Sequence, residues 1–449
     1  MGAEAIGSAS GDADSGGAVL SEVFGLDGFD VLAAADAAGE LEIMIETPAG
    51  PVGCPGCGAV ATPKDRRPTW VADLPSAGRP VVLCWVKRIW CCPDERCETK
   101  TWTETHTAIP PRAVLTERAA AGAVHDIAHG ATVAGRARGL GVGWQTINRH
   151  VLARGTPVVE DPDRLEGVSA IGVDEHVWQR GTGGRPTAFA TGIVDLTPGR
   201  PTRLLDLVEG RSGAVLRGWL ADRPEHWKAR IATAALDPYR GYATALGDQL
   251  PHAVRVLDPF HVTKLGLDAL DEVRRRVQQD TLARRGHRDD PLYRARRLAR
   301  RRYDRLSARG RERLRRRLAD GDPNGEVAAA WTVAQDLMAA YAADDPAAGR
   351  ARAERVIAAA LSCPVPEIAR LGRTLRAWRP ELLAHFTTGG VVSNGPTEAM
   401  NLLIERDRRT AHGFRNFTNY RTRLLLAHSR TTCDHGAPRI RGPHPRFAA

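Results

Sequence analysis

Val168-Ser-Ala-Ile-Gly-Val-Asp-Glu175 is an apolar stretch that ends in two acidic residues. A short apolar run bounded by polar residues is typical of a buried strand. Further strands are predicted at Thr187–Val194, Arg203–Val208, Arg230–Leu236 and Ala253–Leu257, and a helix at Gly213–Leu220. The order of three strands, helix, strand, helix and strand predicts a mixed α/β layer. After Lys264 the chain is rich in Arg, Ala and Leu, and no strand is expected there.

Carboxylates stand at the ends of these predicted strands. Asp174 ends the first strand, Asp237 the fourth and Asp258 the fifth. The first and fourth strands are neighbours in a mixed sheet, so we expect Asp174 and Asp237 to lie side by side. Glu398 follows Pro396, which fits the first position of a helix and puts Glu398 in the first turn. A helix packed across the sheet would bring Glu398 to the two aspartates.

Three carboxylates without a His₃ or Cys set are hard oxygen ligands, which suit Mg²⁺ or Mn²⁺ rather than zinc. Two such ions can activate a nucleophile and stabilise the leaving oxygen of a phosphodiester. The alternative is purely structural, because Asp before Pro is a common turn device and Glu near a helix start is a common cap.

Eight cysteines in a chain without a predicted secretory signal favour a reducing compartment over a disulfide scaffold. Cys54-Pro-Gly-Cys57 places two thiolates on a tight turn, and Cys92 and Cys97 can supply two more ligands for a tetrahedral zinc ion. Cys91 adjoins Cys92 and is the alternative ligand. A redox pair or unliganded buried thiols is the competing interpretation.

Thr132–Val151 has the spacing of a helix–turn–helix, with Gly141 at the turn. The second helix of such a motif reads the major groove of DNA. We expect its outward side chains to face base edges or phosphates, and these are Gln145, Thr146, Asn148 and Arg149. An ordinary helical hairpin is the alternative.

The composition, with 43% hydrophobic and 26% charged residues, is that of a soluble globular protein. No apolar run is long enough for a transmembrane helix, and the basic-free first twenty residues predict no secretory signal. The net charge of +10 comes from Arg274–Arg317, which holds 19 Arg and five acids. Such a segment, including Arg274, Arg275 and Arg276, predicts a polyanionic partner, here DNA. A solvated face, or one paired with acids elsewhere, is the alternative.

Taken together, these motifs strongly resemble the ISL3 family of bacterial insertion-sequence transposases. The resemblance spans roughly residues 20–430. It is carried by Cys-Pro-x-Cys, Lys-Arg-x-Trp-x-Cys-Pro (87–93), the helix–turn–helix, Gly-Val-Asp-Glu (172–175), Asp-Pro-Phe-His-Val (258–262), Asn-Gly-Pro-Thr-Glu-Ala-Met-Asn (394–401) and the segment 408–421.

The resemblance implies an RNase H-like catalytic domain with a DDE triad, a zinc-binding N-terminal domain and recognition of terminal inverted repeats. It selects Cys92 over Cys91 as a zinc ligand. RNase H-like topology favours Asp237 over Asp258 as the second aspartate, with Asp174 first and Glu398 last. Asp258 and His261 then resemble an ancillary Asp-x-x-His element.

The expected organisation follows. It comprises a disordered tail (1–18), a zinc-binding domain (19–105), a helix–turn–helix domain (106–160), a catalytic domain (165–264 and 386–430), a basic helical insertion (265–385) and a second tail (431–449). Arg415 and Arg421 of the terminal segment are expected to contact DNA.

The predicted function is that of a DNA transposase which hydrolyses the phosphodiester at element ends and drives strand transfer by the freed 3′-hydroxyl. Its expected partners are double-stranded DNA and, because two ends must be synapsed, at least a second copy of the chain. The expected location is the bacterial cytoplasm, at the nucleoid. A non-catalytic DNA-binding regulator and a nuclease without strand transfer are the alternatives.

Overall fold

The computed structural model describes residues 21–22, 24–390 and 392–429. The two predicted tails, 1–18 and 431–449, lie outside these residues. The described chain separates into two compact units, with unit 1 ending at Asp161 and unit 2 running from Pro162 to Arg421. Thr422–Ala427 also belongs to unit 1. No helix among the described residues is long and apolar enough to cross a membrane.

Unit 1 contains a five-stranded sheet followed by a group of helices. Its strands are β1 (Asp30–Ala37), β2 (Glu40–Glu46), β3 (Thr62–Ser76), β4 (Arg79–Cys91) and β5 (Thr101–Thr103), in the order β1-β2-β4-β3 with β5 paired to β4. The core forms because Ile43 and Ile45 of β2 and Leu83 and Trp85 of β4 point to the same side and are buried.

The helices of unit 1 are α1 (Glu117–Ala128), α2 (Val133–Gly139) and α3 (Trp144–Glu160). Thr116 and Thr132 cap the first two, each accepting a backbone N–H three residues on. Gly141 between α2 and α3 has a φ of +64°, which favours glycine at the turn. The sequence therefore predicted the order helix, turn and helix correctly.

Unit 2 is built on a second five-stranded sheet with the strands β6 (Ala170–Gln179), β7 (Ala188–Asp195), β8 (Arg203–Glu209), β9 (Thr233–Leu236) and β10 (Val254–Leu257). Their order is β10-β9-β6-β7-β8. Strands β6, β7 and β8 are antiparallel, whereas β9 and β10 run parallel to β6. This is the predicted mixed sheet, with the strand order and directions of an RNase H-like fold.

Helices connect and cover this sheet. They are α4 (Gly213–Ala221), α5 (Glu225–Lys228), α6 (Arg240–Gln249), α7 (Pro259–Leu282), α8 (Pro291–Ala299), α9 (Ala308–Gly321), α10 (Glu326–Tyr341), α11 (Pro346–Leu361), α12 (Pro366–Ala377), α13 (Arg379–Thr387) and α14 (Gly395–Thr410). The last helix, α15 (Phe417–His428), begins in unit 2, and its residues Thr422–Ala427 belong to unit 1. One continuous hydrophobic core joins the sheet to the helices α7 to α13. The long segment after Lys264 is helical, as predicted.

Candidate active site and metal centres

Three aspartates stand in a row at the carboxyl edge of the unit 2 sheet. In the parallel pairs, Val173 of β6 is opposite Leu236 of β9, and Leu236 is opposite Leu257 of β10. Each of these three residues is followed directly by an aspartate. The aspartates are Asp174, Asp237 and Asp258. Adjacent strands lie about 4.8 Å apart, so the register places the three carboxylates next to one another.

Helix α14 adds Glu398 to this edge. Its first turn packs so closely on β6 that a Cβ on Gly172 would lie 2.1 Å from the hydroxyl of Thr397. A side chain at position 172 would therefore push the helix away. Pro396 is the second residue of α14, one position later than predicted, and Glu398 lies in the first turn as expected.

His261 lies among these carboxylates. Its Nε2 is 2.9 Å from Asp237 Oδ2, and its Nδ1 is 3.2 Å from Asp258 Oδ2 and 3.8 Å from Glu398 Oε1. One ligand atom each from Asp258, His261 and Glu398 lies within 4.8 Å of the others, a spacing that could hold a metal ion. The Asp-x-x-His element is thus part of the site itself.

The concentration of negative charge shows in the pKa values of the acids. Burial and then the nearby charge of Asp237 raise the pKa of Asp174 to about 8. Burial and the charge of Asp258 raise the pKa of Glu398. Burial lowers the pKa of His261, but hydrogen bonds with Asp237 and Asp258 outweigh it and raise that pKa to about 10. A cation is therefore stabilised at this edge of the sheet.

Two asparagines orient the aspartates: Asn401 lies in α14 and Asn394 is its N-cap. The sequence analysis did not predict this role. Asn401 Nδ2 donates to Asp174 Oδ2 at 2.7 Å. The fully buried Asn394 donates through Nδ2 to Asp237 Oδ1 at 3.0 Å and through its backbone N–H to Asp258 Oδ1 at 3.1 Å. Both residues stand in the motif 394–401, which was therefore the available signal.

Asp237 and Asp258 differ in their surroundings. Asp258 is 2% exposed and caps α7, since its carboxylate accepts the backbone N–H of His261. Asp237 has a more exposed side chain and accepts no helix-capping bond. Asp258 therefore has a structural task that Asp237 lacks, although both carboxylates reach the same cluster.

The four predicted zinc ligands come together in unit 1. Cys54 and Cys97 sulfurs are 3.7 Å apart and those of Cys57 and Cys92 are 3.5 Å apart. Zn–S bonds of 2.3 Å in a tetrahedron require sulfurs about 3.8 Å apart, so the arrangement fits zinc. Cys91 is not part of this cluster.

A glycine makes the cysteine turn possible. The backbone N–H of Gly56 donates to Cys54 Sγ at 3.4 Å. A Cβ on Gly56 would lie 2.8 Å from the hydroxyl of Thr99 and 3.1 Å from Cys97 Sγ. The Pro-Gly in the first cysteine pair thus lets the two halves of the cluster approach each other.

In the helix–turn–helix, one of the four side chains expected to face outward is buried. Gln145 and Arg149 are exposed and Thr146 is half-buried, but Asn148 is buried. Asn148 belongs to the buried stripe of α3 with Ile147 and Val151. The spacing of this stripe turns its amide toward the unit 1 interior, so Asn148 does not project toward a base edge.

Three predicted DNA-contacting arginines are held by acids of the chain. Arg274 is buried and pairs with Asp271, and Arg421 pairs with Asp206. Arg276 binds Glu326 and Glu367, with its Nε 2.6 Å from Glu367 Oε1. These pairs fit the alternative of a basic face paired with acids: Arg274 meets a carboxylate of its own helix, and Arg276 and Arg421 meet carboxylates of other elements.

Arg275 and Arg415 are exposed, as expected. Other arginines of the basic segment are exposed too, and Arg309, Arg313 and Arg316 recur on one side of α9. Their spacing of four and three residues puts them on one face. The exposed positive charge of the segment therefore includes this face of α9, whereas Arg274 and Arg276 are paired with carboxylates.

Comparison with known proteins assigns the chain to a family. Residues 171–424 match the model of the DDE transposase family ISL3, described as transposase. The chain is 26% identical over 330 residues to the transposase for insertion sequence element IS1557 of Mycobacterium tuberculosis, in strains CDC 1551 and H37Rv, and the match covers 68% of each chain. The Drosophila P element transposase strand transfer complex superposes with a TM-score of 0.41 and 11% identity, over 70% of this chain and 92% of that chain.

Proposed function

The chain belongs to the ISL3 family of transposases, and on that premise we propose that unit 2 cleaves DNA at the ends of an insertion sequence and transfers the freed 3′-end to a target. The observation that carries this proposal is the row of Asp174, Asp237 and Asp258 at adjacent strand ends with Glu398 beside them. Carboxylates grouped in this way can hold the divalent ions that promote hydrolysis and transfer of phosphodiesters without a protein nucleophile.

Asp174, Asp237 and Glu398 are the proposed holders of Mg²⁺ or Mn²⁺, with Asp258 as the alternative second aspartate. The donor set fits, because hard carboxylate oxygens are the ligands these ions prefer. Bound there, the ions would supply the Lewis acidity for attack on a phosphodiester. A structural zinc ion at Cys54, Cys57, Cys92 and Cys97 is proposed on the same basis of donor chemistry.

The residues of the chain prepare the site in two ways. Asn401 and Asn394 each donate to one carboxylate oxygen, which fixes the orientation of Asp174 and Asp237. His261 reduces the repulsion between Asp237 and Asp258 by binding both. Before a cation arrives the carboxylates repel DNA phosphate, so the site is expected to bind its substrate only together with the ions.

Recognition of the element ends is assigned to unit 1. Helix α3 presents Gln145 and Arg149 on its exposed side, close to its N-terminus. In helix–turn–helix proteins these first turns contact base edges in the major groove. The proposed partner is double-stranded DNA, with at least two copies of the chain holding two ends.

The decisive experiment incubates the protein with linear DNA carrying the element's terminal repeats and Mg²⁺, and maps the nicks at nucleotide resolution. Nicks at the repeat ends, followed by joining to a target plasmid, are the expected result. Nicks without joining would indicate a nuclease. Specific binding without any nick would favour the non-catalytic regulator, for which the carboxylate row has no use.

A further inference from the structure

Two aromatic residues flank the carboxylates in the same local motif. Asp237-Pro-Tyr239 ends β9 and Asp258-Pro-Phe260 ends β10. The strands are parallel neighbours and Leu236 is paired with Leu257, so Tyr239 and Phe260 occupy equivalent positions, three residues beyond a paired position. The carboxyl edge of the sheet thus carries alternating acids and aromatic rings.

Both rings are left open to solvent beside the most charged part of unit 2. Tyr239 is 42% and Phe260 57% exposed, and Leu402, next to Asn401 on α14, is 73% exposed. Large apolar side chains that stay exposed gain no hydrophobic free energy from the fold and are available to a binding partner.

The orientation of Tyr239 is fixed by its neighbours. A Cβ on Gly241 would lie 2.5 Å from Tyr239 Cε1, so the ring lies directly against the backbone at the start of α6. Its other contact is an edge-to-face packing on the fully buried Tyr242, with ring centroids 4.9 Å apart. Phe260 packs edge-to-face on His261, with centroids 5.4 Å apart. These contacts leave part of each ring uncovered.

We infer that Tyr239 and Phe260 stack on unpaired bases of the DNA strand next to the scissile phosphodiester. This inference rests on the proposed function, because it places the phosphodiester at the carboxylates between the rings. Base faces are covered by their neighbours inside a duplex, so only bases that have left the stack can meet an aromatic side chain. The site therefore prefers DNA that is unpaired at the point of cleavage.

The chemistry favours a base over a protein side chain as the occupant. The rings stand two residues from carboxylates that any DNA strand cleaved there must approach, so its flanking bases come within reach of them. Stacking also tolerates any base sequence, because every base has a π face. This suits a position at which the structure leaves two aromatic rings partly exposed.

The test compares two duplexes that carry the element end and differ only in whether the nucleotides at the cleavage position are paired or mismatched. Binding is measured by fluorescence anisotropy in Ca²⁺, which offers the same hard-cation chemistry. We expect the wild type to bind the mismatched duplex more tightly, and Tyr239→Ala and Phe260→Ala each to reduce that preference about tenfold. Tyr239→Phe and Phe260→Tyr should retain it.

Tyr303→Ala is the matched control, since Tyr303 is 45% exposed but lies in the insertion between α8 and α9. A 2-aminopurine base at the first mismatched position provides a direct readout, because stacking on a ring quenches it. Quenching that is lost in Phe260→Ala and kept in Phe260→Tyr supports the inference even if Tyr239→Ala does not fold. Equal affinity of the wild type for both duplexes, or an unchanged preference in both alanine variants, would overturn it. Failure of the wild type to nick either duplex in Mg²⁺ would instead count against the proposed function.

Discussion

The cysteine cluster of unit 1 and the carboxylate site of unit 2 differ in what surrounds their ligands. Cys54, Cys92 and Cys97 are themselves the buried core of their region, joined only by the partly buried Ala59 and Trp102. The carboxylates stand at the edge of a large core that includes Val173, Leu236 and Leu257. The cysteines therefore take the place of a hydrophobic core in their region, whereas the carboxylates lie at the edge of a core that exists without them.

The internal partners of the two sites differ as well. The aspartates of unit 2 have His261 and the amides of two asparagines as partners. The closest polar partners of the four thiols are largely one another. We therefore expect unit 1 to need its metal in order to fold, and unit 2 to fold without metal and need it only for chemistry.

The largest expected effect is the loss of zinc from unit 1. Structural zinc contributes about 10–16 kcal/mol of apparent binding free energy in small domains, which is comparable to the whole stability of a typical domain, about 5–15 kcal/mol. Cys57→Ser, or treatment with a strong chelator, should unfold unit 1 and leave unit 2 folded, as measured by hydrogen exchange. Cys91→Ser, next to the cluster but outside it, is the control. Elemental analysis that finds no zinc in protein purified without chelator would contradict the expectation that unit 1 folds around a metal ion.

Substitution of the carboxylates should give the next largest effect, and on activity alone. Asp174→Ala, Asp237→Ala and Glu398→Ala should each lower the cleavage rate by several orders of magnitude, because each removes a metal ligand. Binding to element ends and the melting temperature of unit 2 should change little. If these variants unfolded unit 2 instead, the distinction between the two sites would be lost.

Asp258 sharpens this prediction because it combines a cap with a place in the cluster. Asp258→Asn keeps one side-chain acceptor for the backbone N–H of His261 but loses the oxygen that accepts from Asn394, so it should cost less stability than Asp258→Ala, which also gives up the cap at about 1 kcal/mol. If Asp237 is the second metal ligand, Asp258→Asn should cleave DNA better than Asp237→Asn. The reverse ranking of cleavage rates would identify Asp258 as the ligand.

How far the sequence could predict these sites depends on the distance between the deciding residues. The cysteine pairs and the aspartates at strand ends are local patterns, and the sheet order follows from general topology. Arg276 pairs with Glu326 and Glu367, which lie 50 and 91 residues further along the chain. No local pattern indicates such pairing, so the sequence could offer a basic face paired with acids elsewhere only as an alternative and could not say which arginines are paired.

Strand β3 shows a second limit. Its first half, including Lys64-Asp-Arg-Arg67, is charged and exposed, and it is a strand only because it pairs with β4. Asn148 shows a third limit. A polar residue next to Ile147 is expected to face solvent unless the full set of buried residues of α3 is known. In both cases tertiary contacts outweigh the local preference.

Asn401 tests whether the carboxylates are oriented as well as positioned. Asn401→Ala removes the donor to Asp174 Oδ2 and should weaken Mn²⁺ binding, measured by calorimetry, by about 10- to 100-fold, as is typical of residues that orient a metal ligand. Cleavage should fall by a similar factor and recover at high Mn²⁺. Leu403→Ala, two positions further along α14, serves as control. Unchanged Mn²⁺ affinity would mean that Asp174 needs no orienting partner.

In unit 1 a smaller effect is expected from the exposed side of α3. Gln145→Ala should weaken binding to the correct element end by about 1–3 kcal/mol and leave binding to random DNA nearly unchanged. Asn148→Ala should instead lower the stability of unit 1, because Asn148 is buried. Equal losses on specific and random DNA after Gln145→Ala would show that α3 contacts only the backbone.

The smallest expected effect concerns the charge that unit 2 adds to DNA binding. Arg309, Arg313 and Arg316 are exposed on one face of α9, whereas Arg274 and Arg276 are bound to carboxylates. A phosphate contact releases counterions, and its loss reduces the slope of log K against log salt by about 0.9. Changing the three α9 arginines to Gln should therefore flatten the slope on any DNA sequence, with little change in specificity.

Arg276→Gln should leave the slope unchanged and lower stability, because it leaves two carboxylates without their cation. If instead Arg276→Gln flattened the slope and the triple variant did not, the paired arginines would be the ones that face DNA, and unit 2 would rearrange its ion pairs on binding.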